Sequence, residues 1–220
     1  MKMNPYKAVI FDFDGTLVDS EMLHFMGWNL AIKPFDIALT QDDYFANFVG
    51  IPSIGNAELI VSRYRLNANP QTLVDAKTAA VLTLSDQIDT PFMPYAQDML
   101  AMLASKDIPM SIVSGSKRDD IMRVVKRKNI EHYFTHIISC DDVSVSKPDP
   151  EGYLSCAKAM GFAIGEYLVF EDTLTGTLAA KNAGLTCFAV QHDEKYHDGL
   201  KAAGADKIMT DLSEAFSLWS

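Results

Sequence analysis

A handful of short, predominantly apolar runs constrains this chain more than any other feature. They are Ala8-Val9-Ile10-Phe11, Met110-Ser111-Ile112-Val113, His136-Ile137-Ile138, Tyr167-Leu168-Val169-Phe170 and Thr186-Cys187-Phe188-Ala189-Val190, with a weaker one over Asp206-Lys207-Ile208-Met209. Each is too short for a helix, and their apolar character is nearly continuous rather than alternating. That is the pattern of a strand covered on both faces, as in a parallel sheet. Helical periodicity fills the gaps between the later runs. Residues 98–106 put Met99, Leu100, Met102 and Leu103 on one stripe, and residues 118–128 do so with Ile121, Met122, Val124 and Val125. Residues 151–160 and 174–183 continue the alternation. Buried strands alternating with helices of this length predict an α/β fold with a parallel sheet and helices on both faces.

The stretch from Val18 to Thr90 reads differently. It has helical periodicity over 21–32, 57–66 and 73–84 and no run of buried-strand type, and Pro91 and Pro94 punctuate the return to the alternating pattern. The expected organisation is a core built from 1–17 and 91–220 with an inserted α-helical domain over 18–90. A chain of 220 residues accommodates this at ~150 residues per domain. With 19 basic against 29 acidic residues, a formal charge of −10, the chain is not built to grip nucleic acid phosphates. An anionic substrate needs local positive charge or a metal. No apolar stretch approaches the ~20 residues of a membrane span, and the start of the chain lacks the pattern of a secretory signal. Cys140, Cys156 and Cys187 form no CxxC pair, and no histidine stands at ligand spacing from them. Reduced thiols in a cytoplasmic protein are the expectation, and a zinc site is not.

In open parallel sheets, ligands bind beyond the C-terminal ends of the strands. Here those positions carry Asp12 and Asp14 after the first run, Ser114 after the second, Lys147 beyond the third, and Glu171 with Asp172 after the fourth. Two aspartates in an extended segment share a side and repel unless a cation, a proton or a lysine joins them. Gly15 permits a sharp turn behind them, and the Thr16 hydroxyl can satisfy local backbone groups. Asp172 adds a third carboxylate, and such a set suits Mg2+, which prefers hard oxygen ligands. Lys147, stiffened by prolines at 148 and 150, can pair with Asp12 and with a phosphoryl oxygen. The Ser114 hydroxyl and the nearby N–H groups of Gly115 and Ser116 can cradle a phosphate at a strand-to-helix turn.

These residues resemble four ordered motifs of the haloacid dehalogenase (HAD) superfamily of phosphotransferases. Asp12-Phe13-Asp14-Gly15-Thr16 matches the first and Ser114 the second. Lys147 in Ser146-Lys147-Pro148-Asp149-Pro150 matches the third, and Glu171-Asp172 with Gly176 the fourth. The helical insert resembles that of the C1-capped branch, which includes phosphoglycolate phosphatases and β-phosphoglucomutases. The resemblance implies a Rossmann-like core with a cap whose closure excludes water. It implies Asp12 as a nucleophile forming an aspartyl-phosphate and Asp14 as the general acid–base. Mg2+ would be held by Asp12, the backbone carbonyl of Asp14 and Asp172, with Glu171 assisting through water. Ser114, Gly115 and Lys147 would bind the transferring phosphoryl group. An acid at Asp14 points to phosphate esters within this superfamily rather than to dehalogenation.

The insert is less explicit. Asp19-Ser20 and His24 resemble the start of sugar-phosphate caps, where a matching histidine helps hold the acid–base aspartate, and Trp28 is expected in packing. In Gly50-Ile51-Pro52 the isoleucine replaces a basic residue common in such caps, and Lys117 could compensate as a substrate contact. Asp36 and Tyr95 fall where the family often has glycine. The expected function is a Mg2+-dependent phosphomonoester phosphatase acting on a small phosphorylated metabolite, as a monomer or weak homo-oligomer, with no nucleic acid or membrane partner. The alternatives are a phosphomutase similar to β-phosphoglucomutase and, more remotely, a phospho-receiver module, which also gathers aspartates, a hydroxyl and a lysine at strand ends.

Overall fold

A computed structural model describes residues 4–49 and 51–219, so Gly50 of the cap motif lies outside the described residues, as do Met1 to Met3 and Ser220. The chain divides into two compact units, one of residues up to Asp19 together with Pro91 onward, the other Ser20–Thr90. The first strand, β1 (Ala8–Phe11), has all four residues buried. Its even residues face one side of the sheet and its odd residues the other, as the period of two requires.

The second unit is helical: α1 (Glu21–Ile32), α2 (Gln41–Asn47), α3 (Ser53–Tyr64) and α4 (Pro70–Gln87). Its core gathers Trp28, Ile32, Leu39, Tyr44, Phe48, Ala57, Ile60 and Leu73. Trp28 therefore packs inside, as expected, and burial of a side chain this large contributes roughly 2–3 kcal/mol. Two helices differ from expectation in extent. The α3 helix spans 53–64 rather than 57–66, because Arg65 turns into the left-handed region (φ 51) and ends it. The α4 helix spans 70–87 rather than 73–84, because Asn69 caps the Gln71 N–H and Pro70 opens the first turn. Apolar periodicity had marked only the buried stripe. The α2 helix was not anticipated. Only Tyr44 of it is buried, and its start rests on the Thr40 hydroxyl accepting from the Asp43 N–H, with Asp42 and Asp43 in the first turn.

The core resumes with α5 (Ala96–Ser105), β2 (Met110–Val113), α6 (Arg118–Arg127), β3 (Phe134–Ile138), α7 (Glu151–Met160), β4 (Tyr167–Glu171), α8 (Leu174–Asn182), β5 (Thr186–Val190), α9 (His197–Ala202) and β6 (Lys207–Met209). A 3-10 segment, Leu212–Trp219, follows. The strands form one parallel sheet in the order β3-β2-β1-β4-β5-β6. Val9, Phe11, Ile112, Leu168 and Phe170 face a cluster with Met99, Leu103, Ile121 and Val125. Ala8, Ile10, Tyr167 and Val169 face another with Tyr153, Cys156, Ala179 and Ala180. The expected α/β class is the observed one, and the edge strand β3 is less buried than the central strands. The six-residue α9 was not anticipated; only Leu200 of it is buried. Asp36 (φ 57) and Tyr95 (φ 61) adopt the left-handed backbone that glycine takes without strain, which is why glycine suits both places. No helix among the described residues is long and apolar enough to cross a membrane.

Candidate active site

Strand order decides where the chemistry gathers. The β1 strand lies between β2 and β4, so the chain departs in opposite directions on its two sides, and the loops beyond its C-terminal end open a crevice. Asp12 extends β1 by one residue, its N–H bonded to the Phe170 carbonyl at 2.9 Å. It keeps the parity of Ala8 and Ile10, and so points to the same face as Tyr153. Glu171 ends β4 with the parity of Tyr167 and Val169, and reaches the same place.

Lys147 joins them. Its Nζ donates to Asp12 Oδ1 at 2.6 Å, Glu171 Oε1 at 2.5 Å and the Val113 carbonyl at 3.0 Å. Those three bonds use all three ammonium hydrogens. Its action on a further oxygen is therefore electrostatic unless one of these bonds is given up. The aromatic face of Tyr153 lies 5.1 Å from the ammonium, a favourable cation–π distance, and the buried Tyr153 hydroxyl donates to Glu171 Oε1 at 3.0 Å. Glu171 is fully buried. Its second oxygen accepts from the Asp172 N–H (3.1 Å), the Thr173 N–H (3.2 Å) and the Thr173 hydroxyl (3.0 Å). The residue thus ties Lys147 to the turn that carries Asp172.

Carboxylate oxygens of Asp12, Glu171 and Asp172 lie within 4.8 Å of one another. Burial pushes the Asp12 carboxyl well above its usual range, opposed by Lys147 and reinforced by Glu171 and Asp14. Burial acts to lower the Lys147 ammonium, but Asp12 and Glu171 outweigh it and hold the group above its ordinary value. The two shifts have different main causes: burial for the Asp12 carboxyl, and the facing carboxylates for the Lys147 ammonium. The excess negative charge and the hard oxygen donors fit a divalent cation of the Mg2+ type. The backbone fits as well. Gly15 (φ 82) has Asp172 so close that a Cβ there would sit 2.2 Å from Oδ2. A Cβ at Gly176 would sit 1.7 Å from Glu171 Oε1. The Thr16 hydroxyl, expected to serve local backbone, instead makes a long 3.4 Å contact with Asp172 Oδ1.

The β2 loop supplies hydroxyls. Ser114 is buried, and its Oγ accepts from the Ser116 N–H at 3.0 Å, which leaves its own hydrogen to be donated. That bond corrects one expectation, because the Ser116 N–H is committed to Ser114 rather than available to a phosphate. The Ser116 hydroxyl donates to Asp14 Oδ2 at 2.5 Å. Gly115 is exposed. Lys117 is exposed at the N-terminal end of α6, where it makes no side-chain cap bond. His24 is half-buried on α1 of the helical unit, and Ile51 is 40% exposed there. Asp12, Ser114, Lys147, Glu171 and Asp172 thus come from the ends of β1, β2 and β4 and the loop after β3. Sequence reasoning missed Tyr153 and the Ser116 side chain. Tyr153 stood on the helical pattern of 151–160 as an ordinary apolar position. The three cysteines are free thiols. Burial pushes Cys156 up to about 12 and raises Cys187 further, so both are inert thiols.

Comparison with known proteins bears on the family and the fold. A family model described as haloacid dehalogenase-like hydrolase matches residues 9–190. The validoxylamine A 7'-phosphate phosphatase of Streptomyces hygroscopicus subsp. limoneus is 30% identical over 209 residues, covering 95% of each chain. The fructose-1-phosphate phosphatase of Escherichia coli K12 is 28% identical over 187 residues, covering 84% of this chain and 97% of that one. Among solved structures, a β-phosphoglucomutase from Clostridium difficile superposes with a TM-score of 0.76 over 97% of each chain at 19% identity, a likeness of fold.

Proposed function

The chain belongs to the haloacid dehalogenase-like hydrolases, and from that premise we propose that it is a Mg2+-dependent phosphomonoester phosphatase working through an aspartyl-phosphate on Asp12. Its substrate is a small phosphorylated metabolite of the sugar-phosphate class, and it works in the cytoplasm, where its thiols stay reduced. The observation that carries this reading is the Lys147 ammonium held between Asp12 and Glu171 at 2.6 and 2.5 Å, beside Asp172. Relatives named for validoxylamine A 7'-phosphate and fructose 1-phosphate support a polyhydroxylated leaving group.

In the first step a carboxylate oxygen of Asp12 attacks phosphorus. The ester P–O bond breaks and its electron pair stays on the leaving oxygen, to which Asp14 gives a proton. In the second step water attacks phosphorus and Asp14 takes a proton from it. The Asp12–phosphorus bond breaks, and its pair returns to the carboxylate as inorganic phosphate leaves. Dividing one hard displacement into two lowers each barrier. The Ser114 hydroxyl and the Gly115 N–H orient the phosphoryl oxygens, and Lys147 offsets their charge. Asp12, Asp172 and the Asp14 carbonyl would hold Mg2+, with Glu171 adding charge behind them. When bound, the ion supplies positive charge against the transferring oxygens. Lys117 is the core's proposed contact to the leaving group.

The test is phosphate release from a panel of phosphorylated metabolites with and without Mg2+. Turnover of sugar phosphates that disappears with a chelator is expected. A folded protein that turns over no member of the panel contradicts the reading. Interconversion of hexose phosphate isomers with little phosphate release marks a mutase instead.

A further inference from the structure

We infer that Ser116 is a positioning residue that holds the Asp14 carboxyl in the orientation from which its proton reaches the leaving oxygen. The inference rests on the phosphatase reading above and adds a part to it. The Ser116 Oγ–H donates to Asp14 Oδ2 at 2.5 Å, joining residues 102 positions apart. Oδ2 can accept from Ser116 while the transferable proton sits on Oδ1, so the contact is compatible with the acid's role.

The serine is itself fixed on both sides. Its N–H donates to Ser114 Oγ at 3.0 Å, and its carbonyl accepts from the Cys140 N–H at 3.1 Å. The β2 loop and the segment after β3 together therefore decide where its hydroxyl stands. Asp14 is half-buried on a turn just before a glycine of positive φ (82), and the Ser116 hydroxyl is one of the contacts that fix its carboxyl. Proton transfer depends on that carboxyl's placement, and a shift of about 1 Å can cost about a hundredfold in rate. Ser114 and Ser116 thus divide the labour of one loop. Ser114 has a hydrogen to offer the phosphoryl group, and Ser116 gives its hydrogen to the acid.

The chemistry separates this role from a merely structural one. In the first step the ester P–O bond breaks and the leaving oxygen keeps the electron pair. An alkoxide needs the Asp14 proton at that moment, whereas 4-nitrophenolate is stable enough to leave without it. A misplaced acid therefore harms alkyl esters far more than aryl esters. Replacing Ser116 by alanine removes the hydroxyl and keeps the N–H that Ser114 needs.

The experiment compares wild type, Ser116→Ala and Ser116→Thr on the best sugar phosphate of the panel and on 4-nitrophenyl phosphate. It reads the single-turnover rate of alcohol or phenol release, and KM. The expected result is a loss in Ser116→Ala at least about tenfold larger on the sugar phosphate than on the aryl ester. That is part of the 10²–10⁴-fold, roughly, that a positioned general acid contributes. KM should stay within about twofold, because the hydroxyl acts on the acid rather than on bound phosphate. Ser116→Thr should recover most of the rate. Equal losses on both esters, or no loss on either, overturn the inference while leaving the phosphatase reading standing. Wild-type protein inactive on both esters refutes that reading first and takes the inference with it.

Discussion

At the scale of residues, the proposed chemistry depends on one ammonium being correctly placed among carboxylates. Glu171 sets that place, and Gly176 makes room for Glu171. A Cβ at 176 would meet Glu171 Oε1 at 1.7 Å, well inside contact distance. Glu171 is fully buried and held by Lys147, Tyr153 and the Thr173 hydroxyl, so it has no open side to retreat to. Gly176→Ala is therefore expected to lower kcat by about tenfold or more, and to cost roughly 1–3 kcal/mol of stability as overpacking does. Steady-state kinetics and thermal unfolding check both. An unchanged kcat would show that the seating of Glu171 does not matter to turnover. The gathering of Asp12, Lys147, Glu171 and Asp172 was legible in the sequence because each stands at or beyond the end of an apolar run. Tyr153 was not, because a tyrosine on a buried helix face looks the same whether its hydroxyl is idle or bonded.

At the scale of elements, the site loop after β2 is held by the segment after β3. Arg118 at the start of α6 donates to the Ile137 carbonyl and to Asp142 Oδ2, each at 2.7 Å. Asp142 also accepts from the Ser139 N–H at 2.8 Å and hydroxyl at 2.5 Å, closing a capping box. Burial acts to raise the Asp142 carboxyl, but the Ser139 and Arg118 bonds outweigh it and hold it below its ordinary value. A depressed native pKa means that the stabilisation is present above the unfolded value, about 4, and is lost as pH falls through the native one. Asp142→Asn should therefore cost about 1 kcal/mol near neutrality, and the gap from wild type should close as pH drops below about 4. Urea unfolding at a series of pH values measures it; a gap independent of pH contradicts the assignment. This clamp was invisible in the sequence. Its donors and acceptors lie on either side of β3, and nothing in Cys140-Asp141-Asp142 announces that Arg118 is near. The α2 helix escaped notice for a related reason: a short helix with one buried residue leaves no periodic trace, and its cap at Thr40 is its main signal.

At the scale of the whole molecule, the parallel sheet was the most legible feature. Strands covered on both faces are written as continuous apolar runs, and all the expected strands appear within two residues of their places. The division into a sheet-bearing unit and a helical unit follows the same contrast in periodicity. Leaving-group selection is less legible, because a binding surface follows no short code. The phosphoryl chemistry follows from topology: β1 between β2 and β4 brings together acids and a base far apart in sequence. The most direct measurement of that claim is to quench the enzyme in acid during turnover of a sugar phosphate, reduce with borohydride and map the protein by mass spectrometry. An acyl phosphate at Asp12 is reduced to homoserine, so the predicted result is homoserine at position 12, absent without substrate and absent in Asp12→Asn. Turnover with an unmodified Asp12, or with the modification at another carboxylate, would contradict the account.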